Sequence, residues 1–104
     1  MTKNNHQVNV HLTCRNIDAT EALRNYVNEK IPHCLQKFVH HDTEAQVILK
    51  VEKTRQIAEC SFRTDGADFH VSEESENMYA SIDALIATLT QRLRKHKEKL
   101  TSHY

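Results

Sequence analysis

Five cations lie between positions 92 and 99: Arg92, Arg94, Lys95, Lys97 and Lys99, against one acid, Glu98. Guanidinium and ammonium groups neutralise phosphates, so a run of this kind can follow a nucleic-acid backbone. On a helix each residue turns by about 100°. Arg92, Lys95 and Lys99 then share one exposed face, and Arg94 and Lys97 lie on the opposite flank. A second set is Tyr26, Lys30, His33 and Lys37, spaced i, i+4, i+7 and i+11 along one helix edge, with Arg24 on the other edge. Two readings of the first run stand open. A cation-rich last turn suits the helix dipole and solvation. A phosphate-binding face would instead pair with the basic edge of the second set across one groove, where Tyr26 can stack or hydrogen-bond.

The whole chain carries 14 basic and 14 acidic residues and no formal net charge. The charges are segregated. Positions 65–83 hold Asp65, Asp68, Glu73, Glu74, Glu76 and Asp83 with no Lys or Arg, while positions 91–104 sum to +4. The acidic tract is expected to repel nucleic acid from the wrong side of the molecule. Eight histidines, at 6, 11, 33, 40, 41, 70, 96 and 103, read as surface residues, since none pairs with another at ligand spacing beside a carboxylate; no metal is expected. Imidazole protonates at mildly acid pH, so anionic partners are expected to bind more tightly at about pH 6 than at about pH 8. Cys14, Cys34 and Cys60 are widely spaced and odd in number, which argues for free, buried or half-buried thiols. The chain has no Gly-rich phosphate loop, no G-x-S-x-G and no H-E-x-x-H. It is read as a non-enzyme with no cofactor and no small-molecule substrate.

The length of 104 residues fits one domain, 1–104. No apolar run reaches the length of a membrane span, and the first residues lack the apolar core of a signal peptide, so a cytoplasmic protein is expected. Val8, Val10 and Leu12 alternate as a strand. Asp18 with Glu21 suggests a capping box opening a helix. Leu23, Val27, Ile31, Cys34 and Phe38 form its apolar row, ending near Val39, with a kink or break at Pro32. Val47, Leu49 and Val51 mark a second strand, and Ala58, Cys60 and Phe62 a third, joined by the short "EKTR". "TDGA" carries the Asp-Gly pair of a tight hairpin before a fourth strand with Phe69 and Val71. A long helix starts near Ser75, with Met78, Ile82, Leu85, Ile86, Leu89, Leu93 and Leu100 as its stripe. The order is β-α-β-β-β-α, an α+β fold with two helices on one face of a four-stranded mixed sheet.

The tract "EESENMYASIDALIATLTQRLRKHKEKL" (73–100), with "ENMYASID" as its most specific part, resembles the signature end of the ribosome hibernation promoting factor family. That family is also known as ribosome-associated inhibitor or sigma-54 modulation proteins. "EALRNYVNEKI" (21–31) is similar to the family's first helix and "VEKTRQIAECSFRTDGADFHVSEE" (51–74) to its hairpins. The resemblance covers nearly the whole chain. It implies a fold akin to double-stranded RNA-binding domains and a protein that binds the small ribosomal subunit. There it would contact 16S ribosomal RNA near the decoding region, block messenger and transfer RNA, and silence translation in stationary phase or stress. On matching positions the rRNA-binding residues would be Arg24, Lys30, Lys37, Arg92, Arg94, Lys95, Lys97 and Lys99. Thr88 and Gln91 stand where family helices often carry a basic residue, which implies a shorter basic face. The end of the chain soon after Leu100 is similar to the short form, which in the family favours paired ribosomes. A general RNA-binding or RNA-chaperone module is the alternative.

Overall fold

Alternation of apolar and polar side chains sets the sheet, and a 3.6-residue period sets the two helices that cover it. A computed structural model describes residues 6–101; His103 lies outside them. The elements are β1 (Val8–Arg15), α1 (Glu21–Gln36), β2 (Thr43–Glu52), β3 (Arg55–Thr64), β4 (Ala67–Ser75) and α2 (Met78–Thr101). The sheet order is β1-β2-β3-β4. β1 runs parallel to β2, and the two following pairs are antiparallel. Both hairpins turn on positive φ: Lys53 at 59° between β2 and β3, then Asp65 at 53° and Gly66 at 75° between β3 and β4. Two left-handed residues in a two-residue turn match the twist of the strands, and glycine takes that conformation without strain.

One face of the sheet is dry. Ala45, Val47 and Leu49 from β2, Ala58, Cys60 and Phe62 from β3, and Val71 from β4 are buried there. Leu23, Val27, Ile31, Cys34 and Leu35 of α1 and Met78, Ile82, Leu85, Leu89 and Leu93 of α2 close over them. Each large apolar side chain so buried contributes roughly 1.5–3 kcal/mol before entropy. α1 packs on β1, α2 on β3 and β4, and the helices touch each other. The other face is a ladder of ion pairs. Lys50 meets Glu59 at 3.1 Å, Arg55 meets Glu74 at 2.7 Å, Arg63 meets Asp68 at 2.7 Å, and His11 meets Glu44. Their partners hold the Glu74 and Glu44 carboxyls below the ordinary range, chiefly through the hydrogen bonds from Arg55 and His11.

Several element ends differ from expectation. The N-cap of α1 is Thr20, whose hydroxyl accepts from Leu23 N at 3.2 Å, so Asp18 is not the cap. α1 runs unbroken through Pro32. The hydrogen bond lost there costs roughly 3 kcal/mol in an exposed helix, but Ile31 and Leu35 beside it are fully buried and hold the last turn. The helix stops at Gln36 rather than near Val39, because Phe38 N and Val39 N both turn back to Leu35 O. Leu35, not Phe38, completes the buried row. α2 starts at Met78, since Ser75 still belongs to β4 and Asn77 Oδ1 caps the helix by accepting from Tyr79 N and Ala80 N. Leu100 is 47% exposed, past Leu93, the last core residue of α2. The three cysteines are free, with Cys34 and Cys60 buried and Cys14 half-buried. Burial pushes the Cys60 thiol up to about 12.

Candidate nucleic-acid interface

The start of α2 is clamped before its basic end appears. Ser81 is fully buried, and its hydroxyl donates to Gln56 O on β3 at 2.6 Å and meets Ser75 Oγ at 2.7 Å. Polar groups buried with partners fix one orientation, so the rotation of α2 on the sheet is set from its first turn. Everything downstream follows that rotation.

On one flank α2 faces α1. The Tyr26 hydroxyl donates to Asp83 Oδ1 at 2.6 Å, and its ring meets Tyr79 edge-on at 5.0 Å. That hydrogen bond raises the phenol's pKa further. One helical step on, Cys34 Sγ lies 3.4 Å from Thr90 Oγ1. Arg94 and Lys97 continue the row of Asp83 and Thr90 at i+4 and i+7 from Thr90. Lys30 sits with Nζ 5.3 Å from the Tyr26 centroid, His33 is exposed, and Lys37 is the C-cap of α1. The α1-facing flank of α2 therefore carries Arg94 and Lys97 in the row of Asp83 and Thr90, while Lys30 and Lys37 stand on α1 beside Tyr26 and Cys34. Tyr26 has its hydroxyl committed to Asp83, which makes it a bridge between the helices.

On the opposite flank α2 overhangs β4, the edge strand. Arg92 Nη1 donates to His70 O at 3.4 Å. Arg92, Lys95 and Lys99 line a groove of about 410 Å3 with Asp68, Phe69 and His96. These three cations do not join the seam, so the single shared groove expected from the sequence is two surfaces, one on each side of α2. Arg24 belongs to neither. Its guanidinium donates to Ala19 O at 3.4 Å, and its charge acts on Cys14 of β1, on the far side of α1.

The acidic tract is not a separate repelling side. β4 lies directly under α2, and five of the six carboxylates are engaged. Asp65 meets His96 at 3.1 Å, and Asp68 and Glu74 hold Arg63 and Arg55. Glu73 accepts from Thr88 Oγ1 at 2.7 Å, and Asp83 from Tyr26. Thr88 is thus tied to the sheet, and Gln91 is exposed beside it. The sequence reading missed Phe69 and His96 as parts of the groove. Phe69 stacks on Phe62 at 5.0 Å with a 5° tilt, and His96 meets Phe69 edge-on at 5.2 Å. The usable signal was the cross-strand position of Phe69 after a two-residue turn. Among the described residues no group of three or more His, Cys, Asp or Glu is arranged to hold a metal ion, and no helix is long and apolar enough to cross a membrane.

Comparison with known proteins gives a consistent result. Residues 10–101 match the model of a family described as sigma 54 modulation protein / S30EA ribosomal protein. A ribosome hibernation promoting factor of Klebsiella oxytoca is 38% identical over 94 residues, covering 90% of this chain and 98% of that protein. One of Azotobacter vinelandii is 42% identical over 90 residues, covering 86% and 83%. The fold is similar to a ribosomal subunit interface protein from Coxiella burnetii, with a TM-score of 0.77 at 22% identity over 86% of this chain and 98% of that one. It is also similar to the N-terminal domain of Thermus thermophilus Protein Y, with a TM-score of 0.75 at 25% identity over 85% and 98%.

Proposed function

The chain belongs to the sigma 54 modulation protein / S30EA ribosomal protein family, and from that premise we propose that it is a ribosome hibernation factor acting in the cytoplasm. It binds the small ribosomal subunit near the decoding region and contacts 16S ribosomal RNA. It keeps messenger and transfer RNA out and silences translation in stationary phase or stress. The mechanism is steric: a folded body occupies the place of the substrates, held by phosphate contacts, with no reaction catalysed. Support comes from the names of its relatives. The observation that carries the RNA contact is the pair of exposed cation rows on α2, one shared with Lys30 and Lys37 of α1 and one over β4. Cations at such positions neutralise phosphates without the cost of burying a charge. Arg24, on the far side of α1, takes part only if the RNA wraps that helix.

Reversing the charge of Arg92, Lys95 and Lys99 is expected to release the protein from small subunits in a sedimentation assay. Unchanged co-sedimentation at moderate salt would reject the site. Similar affinity for unrelated structured RNA would favour a general RNA-binding module instead. The same gradients show whether ribosomes pair in its presence.

A further inference from the structure

The groove on the β4 side of α2 is more than a row of charges. Its lining includes an aromatic ring, Phe69. Phe62 and Phe69 are direct cross-strand partners, and their rings stack nearly parallel. Phe62 therefore covers one face of Phe69. β4 is the edge strand, and Phe69 lines the groove beyond it. His96 stands edge-on to the same ring and is anchored by Asp65, which fixes that wall. Arg92, Lys95 and Lys99 rise on the helix side. Asp68 also borders the groove, with its carboxylate paired to Arg63 on the ion-pair face of the sheet. The volume, about 410 Å3, falls in the range of small-ligand sites, roughly 300–1,000 Å3.

A flat ring with three cations beside it matches one chemical class. We propose that this groove seats a single unpaired nucleotide: its base stacks on Phe69, on the side of the ring away from Phe62, and its phosphate lies against Arg92, Lys95 and Lys99. The inference rests on the reading of α2 as an RNA-binding surface and adds selectivity to it. A duplex keeps its bases stacked inside and offers the groove only phosphates. A single strand or a splayed loop offers both parts. In the seam with α1 the Tyr26 ring packs between Tyr79 and Lys30. Phosphate contacts there are blind to pairing.

The chain contains no tryptophan, so Phe69→Trp places one indole in the groove as a reporter. A short unpaired oligoribonucleotide is expected to quench its fluorescence, while inorganic phosphate and a duplex RNA of equal phosphate count leave it unchanged. Adenosine monophosphate alone separates the two sources of the ligand: quenching at similar concentration means a free nucleotide suffices, and quenching by the oligomer alone assigns the seat to an RNA strand. Phe69→Leu, with its fold checked by thermal melting, is expected to weaken oligonucleotide binding about ten-fold, the scale of one base–aromatic stack. Duplex binding should stay unchanged. Equal quenching by duplex and single strand, no quenching by any nucleotide, or equal loss for both RNAs in Phe69→Leu overturns the seat. Small-subunit co-sedimentation of the same Leu variant is read in parallel. Retained co-sedimentation with any of those results rejects the seat alone. Failure of the unaltered protein to co-sediment rejects the ribosomal reading without touching the fluorescence result.

Discussion

Removing cations in pairs tests whether both flanks of α2 hold phosphates. One variant is Lys30→Ala with Arg94→Ala, in the seam; the other is Arg92→Ala with Lys95→Ala, over β4. All four side chains are exposed, so truncation leaves no buried charge unpaired and the fold should stand. The loss is then mainly counterion release, about 0.7–0.9 units of log–log salt slope per contact. Raising salt from about 50 to about 200 mM weakens one contact by roughly 3.5-fold at the upper slope, so two contacts account for roughly 12-fold. Each pair should flatten the slope of small-subunit binding by about 1.4–1.8 units, and the four-fold variant by about 2.8–3.6. The assay is fluorescence anisotropy against purified small subunits across a salt series. Unchanged slopes in both variants refute phosphate binding by α2. Flattening in one variant only refutes the claim that both flanks engage.

Three further outcomes follow from packing and protonation. Cys60 is buried with its thiol pushed up to about 12, and burial also raises Cys34 and Cys14. A thiol reagent at neutral pH should label half-buried Cys14 first and reach the other two only on unfolding, as mass spectrometry of native and denatured protein will show. Leu89→Ala opens a cavity at a fully buried site of α2 and should cost about 2–5 kcal/mol, a fall in Tm of at least about 8 °C by calorimetry. Glu44 and Glu74 have folded-state pKa values below the ordinary 4.5, so their contribution is present above that value and lost as pH falls through the lower folded one. The Tm gap between the protein and Glu44→Gln with Glu74→Gln should therefore be open at neutral pH and closed at about pH 2.

The strands were legible because Val8, Val10 and Leu12, and Ala58, Cys60 and Phe62, alternate without exception, and because Asp65-Gly66 names its own turn. The ends were less so. Asp18 and Thr20 both suit an N-cap, and only the geometry of Leu23 N chooses between them. Phe38 continues the period of Ile31 and Cys34, yet the chain has already left the helix at Lys37. Pro32 looked like a break because local rules count its missing N–H and not the burial of Ile31 and Leu35. The cations were legible as types and spacings. Their division between two flanks was not, since it depends on the rotation of α2, fixed by Ser81 against Gln56 and by Met78 to Leu93 against β3 and β4. A helical wheel separates Arg92 from Arg94 but cannot say which of them meets α1.

A chain with no net charge can still attract phosphates when its acids are spent internally. Carboxylates paired with a guanidinium at 2.7 Å act at a distance as dipoles, while the exposed cations of α2 act as charges within a Debye length of about 8 Å. The sensitive perturbation is then the loss of a carboxylate's partner. Arg63 lies on the ion-pair face of the sheet, outside the groove, yet it holds Asp68 on the groove's rim at 2.7 Å. Arg63→Ala frees a negative charge beside Arg92 and Lys95. At roughly 8 Å in water one such charge is worth about 0.5 kcal/mol, or about two-fold in affinity. Binding to small subunits should weaken by that factor at low salt and recover at high salt. Adding Asp68→Asn to Arg63→Ala should restore it. If the double variant binds as weakly as Arg63→Ala, Arg63 touches RNA itself, and internal neutralisation is not what lets this neutral chain reach it.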